Sequence, residues 1–363
     1  MIKEFTINGY RRFDSLVLED LTNINIIVGD NNVGKTTILE AIYFWACGYN
    51  MSPIISGPVA RNRYSINNSP NSLIEEITAC FNNKDDLKLS FIGKEDNSSK
   101  EFIHKVEFID QERLTQTVPV DMNSVNEGIV KYPQISYANV AIIGKWSIKG
   151  SGDAEQTVQL TVPNILNSAR PYKLAKYIDI LSHINQSENI RIYADMKTAG
   201  LLDSEFIEQL QKMYPDIESI ENIPYMDATQ GPISIKVKNR GYLPIYSFGD
   251  GLQRLYHILG SIKLYRDSVV CIDELDAGFH PSSQLDFCEQ LINYSKRYNT
   301  QMFMTTHNIE FLDNFLAAAE KSSSLNTVRI ITLKSDKKNE VITRILTGED
   351  AVKSRKQFEM ELR

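Results

Sequence analysis

The densest run of chemically capable residues is Val28-Gly29-Asp30-Asn31-Asn32-Val33-Gly34-Lys35-Thr36-Thr37-Ile38-Leu39-Glu40. Its spacing, Gly-x-x-x-x-Gly-Lys-Thr between the apolar runs Ile24 to Val28 and Ile38 to Phe44, predicts a strand, a glycine loop and a helix. Glycine lets consecutive backbone N–H groups turn inward around phosphate oxygens at a helix N-terminus. Lys35 would then bring its charge to the β- and γ-phosphates, and Thr36 would offer its hydroxyl to Mg²⁺. Gly29, Asn31, Asn32, Val33, Gly34, Lys35, Thr36 and Thr37 are therefore the expected triphosphate cradle, with ATP and Mg²⁺ as the expected cofactors.

Three further stretches supply complementary chemistry. Val269-Val270-Cys271-Ile272-Asp273-Glu274 is an apolar run ending in two acids. A carboxylate at the carboxyl end of a parallel strand faces the crevice where ligands sit, so Asp273 suits Mg²⁺ and Glu274 suits the attacking water. Ser247-Phe248-Gly249-Asp250-Gly251 opens a helix expected over Leu252 to Leu264, with Ser247 as its cap and exposed N-terminal amides as a second anion-binding end. Thr305-Thr306-His307 follows a short apolar run, which places His307 at a strand end within reach of a γ-phosphate.

The elements that must hold these residues follow from hydrophobic periodicity. The first forty residues read as two strands and then the strand of the glycine loop, followed by a helix from about Thr36 to Tyr49 that is apolar almost all round. Leu73 to Val162 alternates over short segments separated by Asn, Asp and Lys, the pattern of an antiparallel region. Tyr172 to Asn185 and Leu201 to Met213 read as helices, and Ile233 to Val237 as a strand. Val269 to Ile272 and Met302 to Thr305 read as central parallel strands, and Val328 to Leu333 with Val341 to Leu346 as a hairpin. The expected class is α/β, with a parallel core sheet, an antiparallel β subdomain and an inserted helical region. The expected divisions are residues 1–50, 51–165, 166–240, 241–320 and 321–363.

Composition narrows the classes of function. With 363 residues and 42% hydrophobic side chains the chain can bury a large core. No apolar run approaches the roughly 20 residues a bilayer span requires, and the N-terminus lacks a signal-peptide pattern, so a cytoplasmic protein without a membrane partner is expected. A net charge of -7 argues against a protein whose main task is gripping a nucleic-acid backbone, while leaving room for local basic faces at Arg61/Arg63 and Lys236/Lys238/Arg240. Cys47, Cys80, Cys271 and Cys288 show no metal-ligand spacing and are expected as free thiols.

The joint order of glycine loop, Ser-x-Gly-x-Gly signature, Asp-Glu strand end, Leu275-to-Pro281 loop and His307 resembles the ABC-type ATPases, in particular the SMC, RecF and OLD (overcoming lysogenisation defect) branch. Asn31-Asn32, Ile272-Asp273-Glu274-Leu275-Asp276-Ala277-Gly278-Phe279-His280-Pro281, Thr305-Thr306-His307-Asn308 and the opening Asn8-Gly9-Tyr10-Arg11-Arg12-Phe13 carry that likeness. The resemblance implies a head-to-tail homodimer that sandwiches ATP between one subunit's glycine loop and the other's Ser247, Gly249 and Gly251. It also implies Arg11 near the nucleotide, Asp276 at the dimer seam, and Glu274 and His307 as catalytic residues. No Toprim-type carboxylate cluster follows His307 and no long heptad stretch is present. By analogy with standalone OLD-like ATPases, control of a separately encoded nuclease or toxin in phage defence is expected, with a RecF-like DNA clamp as the alternative. A transporter subunit fits less well with the β-rich Leu73 to Val162 and the Gly278-to-Pro281 loop. A Q-loop glutamine is not singled out by the sequence, Gln111 and Gln134 being the candidates.

Overall fold

The computed structural model describes residues 1–48, 78–96, 98–110, 140–146, 148–149, 156–160, 173–224, 231–336 and 340–358. It divides the chain into two compact units, one of Met1–Glu4, Leu18–Ala46 and Lys173–Arg363, the other of Phe5–Val17 and Cys47–Tyr172.

The first unit is built on a six-stranded sheet. Its strands are β3 (Ile24–Gly29), β9 (Ala175–Ile178), β13 (Val269–Ile272), β14 (Gln301–Thr305), β15 (Val328–Ser335) and β16 (Val341–Thr347), in the order β16-β15-β3-β14-β13-β9. All neighbours are parallel except β15 and β16, which form the expected hairpin. Every residue of β3, β13 and β14 is buried, which explains their near-continuous apolar runs. Helix α1 (Lys35–Cys47) follows the glycine loop and buries Ile38, Leu39, Ala41, Ile42, Phe44, Trp45 and Ala46. Each large apolar side chain so buried contributes about 1.5–3 kcal/mol, so the loop's C-terminal anchor is rigid.

A helical and β-ribbon portion of the same unit holds the signature. It comprises α2 (Gln186–Thr198), α3 (Ser204–Gln211), the antiparallel strands β10 (Ile217–Asn222), β11 (Ile233–Val237) and β12 (Gly241–Pro244), and the buried helix α4 (Asp250–Leu264). Helices α5 (Pro281–Arg297), α6 (Ile309–Lys321) and α7 (Gly348–Phe358) complete the unit.

The helix expected over Tyr172 to Asn185 is not there. The chain instead forms β9 and a 3-10 turn, Ser182–Ile184, before α2 begins. Tyr177, Ile178 and Leu181 mimic helical spacing, but in a run this short the backbone partners decide the form. Val269 N donates to Leu174 O at 3.0 Å and Asp273 N to Ile178 O at 2.9 Å, which bind the segment to β13 as a strand. The start of α2 carried its own signal, since Asn185 caps it by accepting from Glu188 N at 3.2 Å.

The second unit contains most of a seven-stranded antiparallel-rich sheet. In chain order its strands are β1 (Ile2–Tyr10), β2 (Phe13–Leu18), β4 (Lys88–Glu95), β5 (Ser98–Asp110), β6 (Val140–Trp146), β7 (Ile148–Lys149) and β8 (Gln156–Leu160). They run in the order β2-β1-β4-β5-β6-β8, with β7 beside β5, as the alternation between Leu73 and Val162 suggested. Arg61, Arg63, Gln111 and Gln134 lie outside the described residues. Cys47, Cys80, Cys271 and Cys288 are buried, and none of the four is in a disulfide.

Candidate functional site

The glycine loop joins the buried strand β3 to α1, and two of its residues take backbone angles that favour glycine, Gly29 at φ 143° and Gly34 at φ 100°. Gly29 is also demanded by the sheet: a Cβ there would stand 2.3 Å from the Leu333 carbonyl oxygen of β15. Asn32 is left-handed as well, at φ 62°, and Asp30, Asn31 and Asn32 are exposed while Val33 and Thr37 anchor the loop in the interior. Lys35, only 7% exposed, donates from Nζ to the carbonyl oxygens of Gly29 and Asp30, both at 2.7 Å. Burial lowers its pKa, and the carboxylates of Asp273, Asp30 and Glu274 act against that.

Parallel pairing brings the acids to the same edge. β14 lies between β3 and β13, so the carboxyl ends of all three strands face one crevice. Asp273 Oδ1 accepts from Thr36 Oγ1 at 3.2 Å and from Thr305 Oγ1 at 2.6 Å. Thr305 Oγ1 in turn accepts from Glu274 N at 2.8 Å, while its carbonyl accepts from Leu275 N at 2.9 Å. Glu274 adopts φ 49°, a left-handed conformation that costs a non-glycine residue about 1–2 kcal/mol. The Thr305 bonds to this backbone offset that strain, and the Glu274 carboxylate meets His307, whose Nε2 lies 3.2 Å from Glu274 Oε1. Both side chains are part-exposed, so solvent has access to them.

The oxygen donors present suit Mg²⁺. Among the described residues no group of three or more His, Cys, Asp or Glu side chains could hold a metal ion by itself. A hydroxyl and one carboxylate, completed by phosphate oxygens and water, are what a hard octahedral cation takes at a triphosphate. Thr36 and Asp273 are the residues that would hold it, and it would neutralise charge on the transferred phosphoryl group.

The signature residues are tied to the loop after β13. Ser247 closes a 3-10 turn, Ile245–Ser247, and the residue capping α4 is Gly249, so the expected Ser247 cap is not formed. The two glycines differ in role. A Cβ at Gly251 would meet Tyr214 Oη at 2.9 Å and the Gly278 carbonyl at 3.0 Å, whereas one at Gly249 would meet nothing within 4 Å. Ser247 and Gly249 are exposed. Asp276 Oδ1 accepts from Thr306 Oγ1 at 2.6 Å, fixing the loop between β13 and α5 to the end of β14. Arg11 belongs to the other unit, in the turn after β1 at φ 52°, with its guanidinium carbon 5.5 Å from the centre of the Tyr10 ring.

A family model described as "AAA domain" matches residues 4–222, more than half of the chain. The chain belongs to this AAA-domain family. A second model, described as "AAA domain, putative AbiEii toxin, Type IV TA system", matches residues 154–313 of this AAA protein. An "ATP/GTP phosphatase" of Helicobacter pylori is 25% identical over 373 residues, covering 96% of both chains. RecF, a DNA replication and repair protein, of Clostridium perfringens is 39% identical over 51 residues, 14% of each protein. Among solved structures, an Smc head bound to the C-winged helix domain of ScpA aligns with TM-score 0.53 at 15% identity, covering 97% of this chain and 99% of that one. An Smc head with an extended coiled coil from Pyrococcus furiosus aligns at 0.51 and 12% identity, covering 99% and 100%. The AAA protein is an ATPase with the P-loop fold of an Smc head.

Two residues of this ATPase escaped sequence reasoning. The sequence places Thr305 at a strand end and beside the His307 motif without a contact of its own, yet its hydroxyl joins Asp273 to Glu274. Arg254 was read only as one more residue of a helix, yet it is 1% exposed and donates to Ile180 O at 2.7 Å, Asp273 O at 2.9 Å and Glu274 O at 2.7 Å. Burial lowers its pKa, opposed by Asp276, Asp179, Glu274 and Asp273. The signal was a lone arginine amid the apolar positions of α4, on the interior side of a buried helix.

Proposed function

We propose that this ATPase is a dimeric switch in which ATP, held by the glycine loop of one subunit, is closed over by the signature turn of a second. The observation that carries this reading is Gly249, exposed at the N-terminus of a 15-residue helix with open space around it, where the chain's own packing makes no demand for glycine. First-turn amides so presented suit a γ-phosphate arriving on a facing surface. The ligand roles follow: Lys35 and the loop amides from Asn31 to Thr37 hold the phosphates, Glu274 orients the attacking water, and His307 holds Glu274 and meets the γ-phosphate. Asp276 would sit at the seam and Arg11 beside the nucleotide. Closure and reopening then gate a separately encoded effector, a nuclease or toxin acting in phage defence, and the toxin wording of the family model over residues 154–313 supports that class.

Lys35→Ala removes the loop's charge and is expected to abolish nucleotide binding. Glu274→Gln is expected to bind ATP, lose turnover and accumulate as a closed dimer in sedimentation velocity. Equal ATP affinity in Lys35→Ala and wild type, or full turnover by Glu274→Gln, would contradict the assignment.

A second reading is a RecF-like DNA clamp. The turn Lys238-Asn239-Arg240 between β11 and β12 is exposed and basic, although the neighbouring Lys236 is paired to Glu218 at 3.0 Å. Duplex binding whose affinity falls steeply with salt would favour it.

A further inference from the structure

The N-terminus of α4 carries a carboxylate where the proposed switch needs to accept an anion. Asp250 is the first residue of the helix and its side chain is 69% exposed. Behind it, in the 3-10 turn after β9, stands His183, 5% exposed, with both ring nitrogens buried and without a hydrogen-bond partner. Its Nε2 lies 3.8 Å from Asp250 Oδ1, an ion-pair distance beyond hydrogen-bond reach. The turn is held from behind by α2, since Asn189 Nδ2 donates to His183 O at 2.6 Å. His183 is thus held by its backbone and aimed at Asp250 with neither ring nitrogen satisfied.

We propose that His183 is a positioning residue of the signature half-site, taking up a proton when a triphosphate engages there and so cancelling the charge of Asp250 beside the incoming phosphate. The inference rests on the dimeric reading above. The proton is exchanged with bulk solvent, so no other reactant is needed.

The charges around His183 support this cycle. Burial holds its pKa below the ordinary histidine value, the Arg254 guanidinium of α4 lowers it further, and Asp250 on α4 and Asp179 at the end of β9 oppose them. The other titratable group of α4 on this side, His257, is itself held neutral by burial. In the free chain His183 is therefore neutral at pH 7 and offers Asp250 no opposing charge. A phosphate added beyond Asp250 favours the imidazolium and raises the pKa of His183. Between the free and engaged pKa values engagement takes up a proton, so it strengthens as pH falls and weakens as pH rises, by up to about tenfold per pH unit.

The test measures the dissociation constant of the ATP-bound dimer at pH 6, 7 and 8 by analytical ultracentrifugation. It compares Glu274→Gln with the double variants Glu274→Gln/His183→Gln and Glu274→Gln/Asp250→Asn. The phosphate's own titration is common to all three, so differences in slope report this pair. The proposal expects association of the single variant to tighten toward pH 6, the His183→Gln variant to lose close to one proton of that slope, and the Asp250→Asn variant to associate more tightly at pH 8. An unchanged slope in the His183→Gln variant overturns the proposal and leaves the dimer standing, while absence of ATP-dependent association at every pH overturns both. Should His183→Gln fail to fold, the imidazole resonances of isotopically labelled Glu274→Gln decide, because a His183 that stays neutral at pH 7 with ATP bound contradicts the proposal.

Discussion

Thr305 shows how much of the site depends on residues with no ionisable group. Its hydroxyl donates to Asp273 and accepts from the Glu274 amide, so one small side chain holds a carboxylate and a strained backbone. Thr305→Val keeps the shape and removes both bonds. It is expected to lower kcat about 10- to 100-fold, the usual penalty for losing a residue that orients a ligand set, while ATP affinity changes little. Steady-state turnover beside equilibrium nucleotide binding checks this. The placement of Lys35 and Asp273 was legible in the sequence because a glycine loop and an acid-ended apolar strand each carry a recognisable spacing. Thr305 and Arg254 were not, because their partners come from strands and loops far away in sequence, and only the sheet's register brings those within reach.

Helix α4 links two chemistries through its ends and its middle. Its N-terminus presents Gly249 outward, and one turn later Arg254 grips the carbonyls of Asp273 and Glu274. Arg254 thus ties the helix that carries the signature turn to the strand end at Asp273 and Glu274. The two glycines separate packing from function. Gly251→Ala should destabilise the chain by about 1–3 kcal/mol through the clash with Gly278 and Tyr214, whereas Gly249→Ala should stay within about 0.5 kcal/mol of wild type. Urea unfolding of both variants checks the contrast.

Farther along the same helix His257, fully buried, meets Asn189 Oδ1 of α2 at 2.8 Å, and burial with nearby cationic groups lowers its pKa from 6.5 to about 3. Because the folded pKa is depressed, the unfolded chain binds the extra proton, and stability falls as pH drops below 6.5 toward 3. Between pH 7 and pH 5 this group alone is expected to remove about 2 kcal/mol, and a His257→Gln variant should lose that much less on acidification. The hydrophobic periodicity of α1, α4 and the hairpin β15–β16 made those elements legible. The strand β9 was misread because four residues at the sheet edge carry too little pattern to outweigh a helical coincidence.

At the scale of the molecule, the parallel sheet gathers the glycine loop, Asp273, Glu274 and His307 within one compact unit, while Ser247 and Gly249 of the signature turn in that unit are exposed. Two such chains related head to tail would complete two sites, each drawing its halves from different subunits. The most direct test mixes two variants that are each inactive. Lys35→Ala retains the signature, and Gly249→Trp retains the glycine loop but blocks its own signature turn. In a head-to-tail dimer every mixed pair contains one intact site, so an equimolar mixture is expected to recover up to about a quarter of the wild-type ATPase rate. A mixture no more active than its separate components, with both variants folded and Gly249→Trp still binding ATP, would contradict the account.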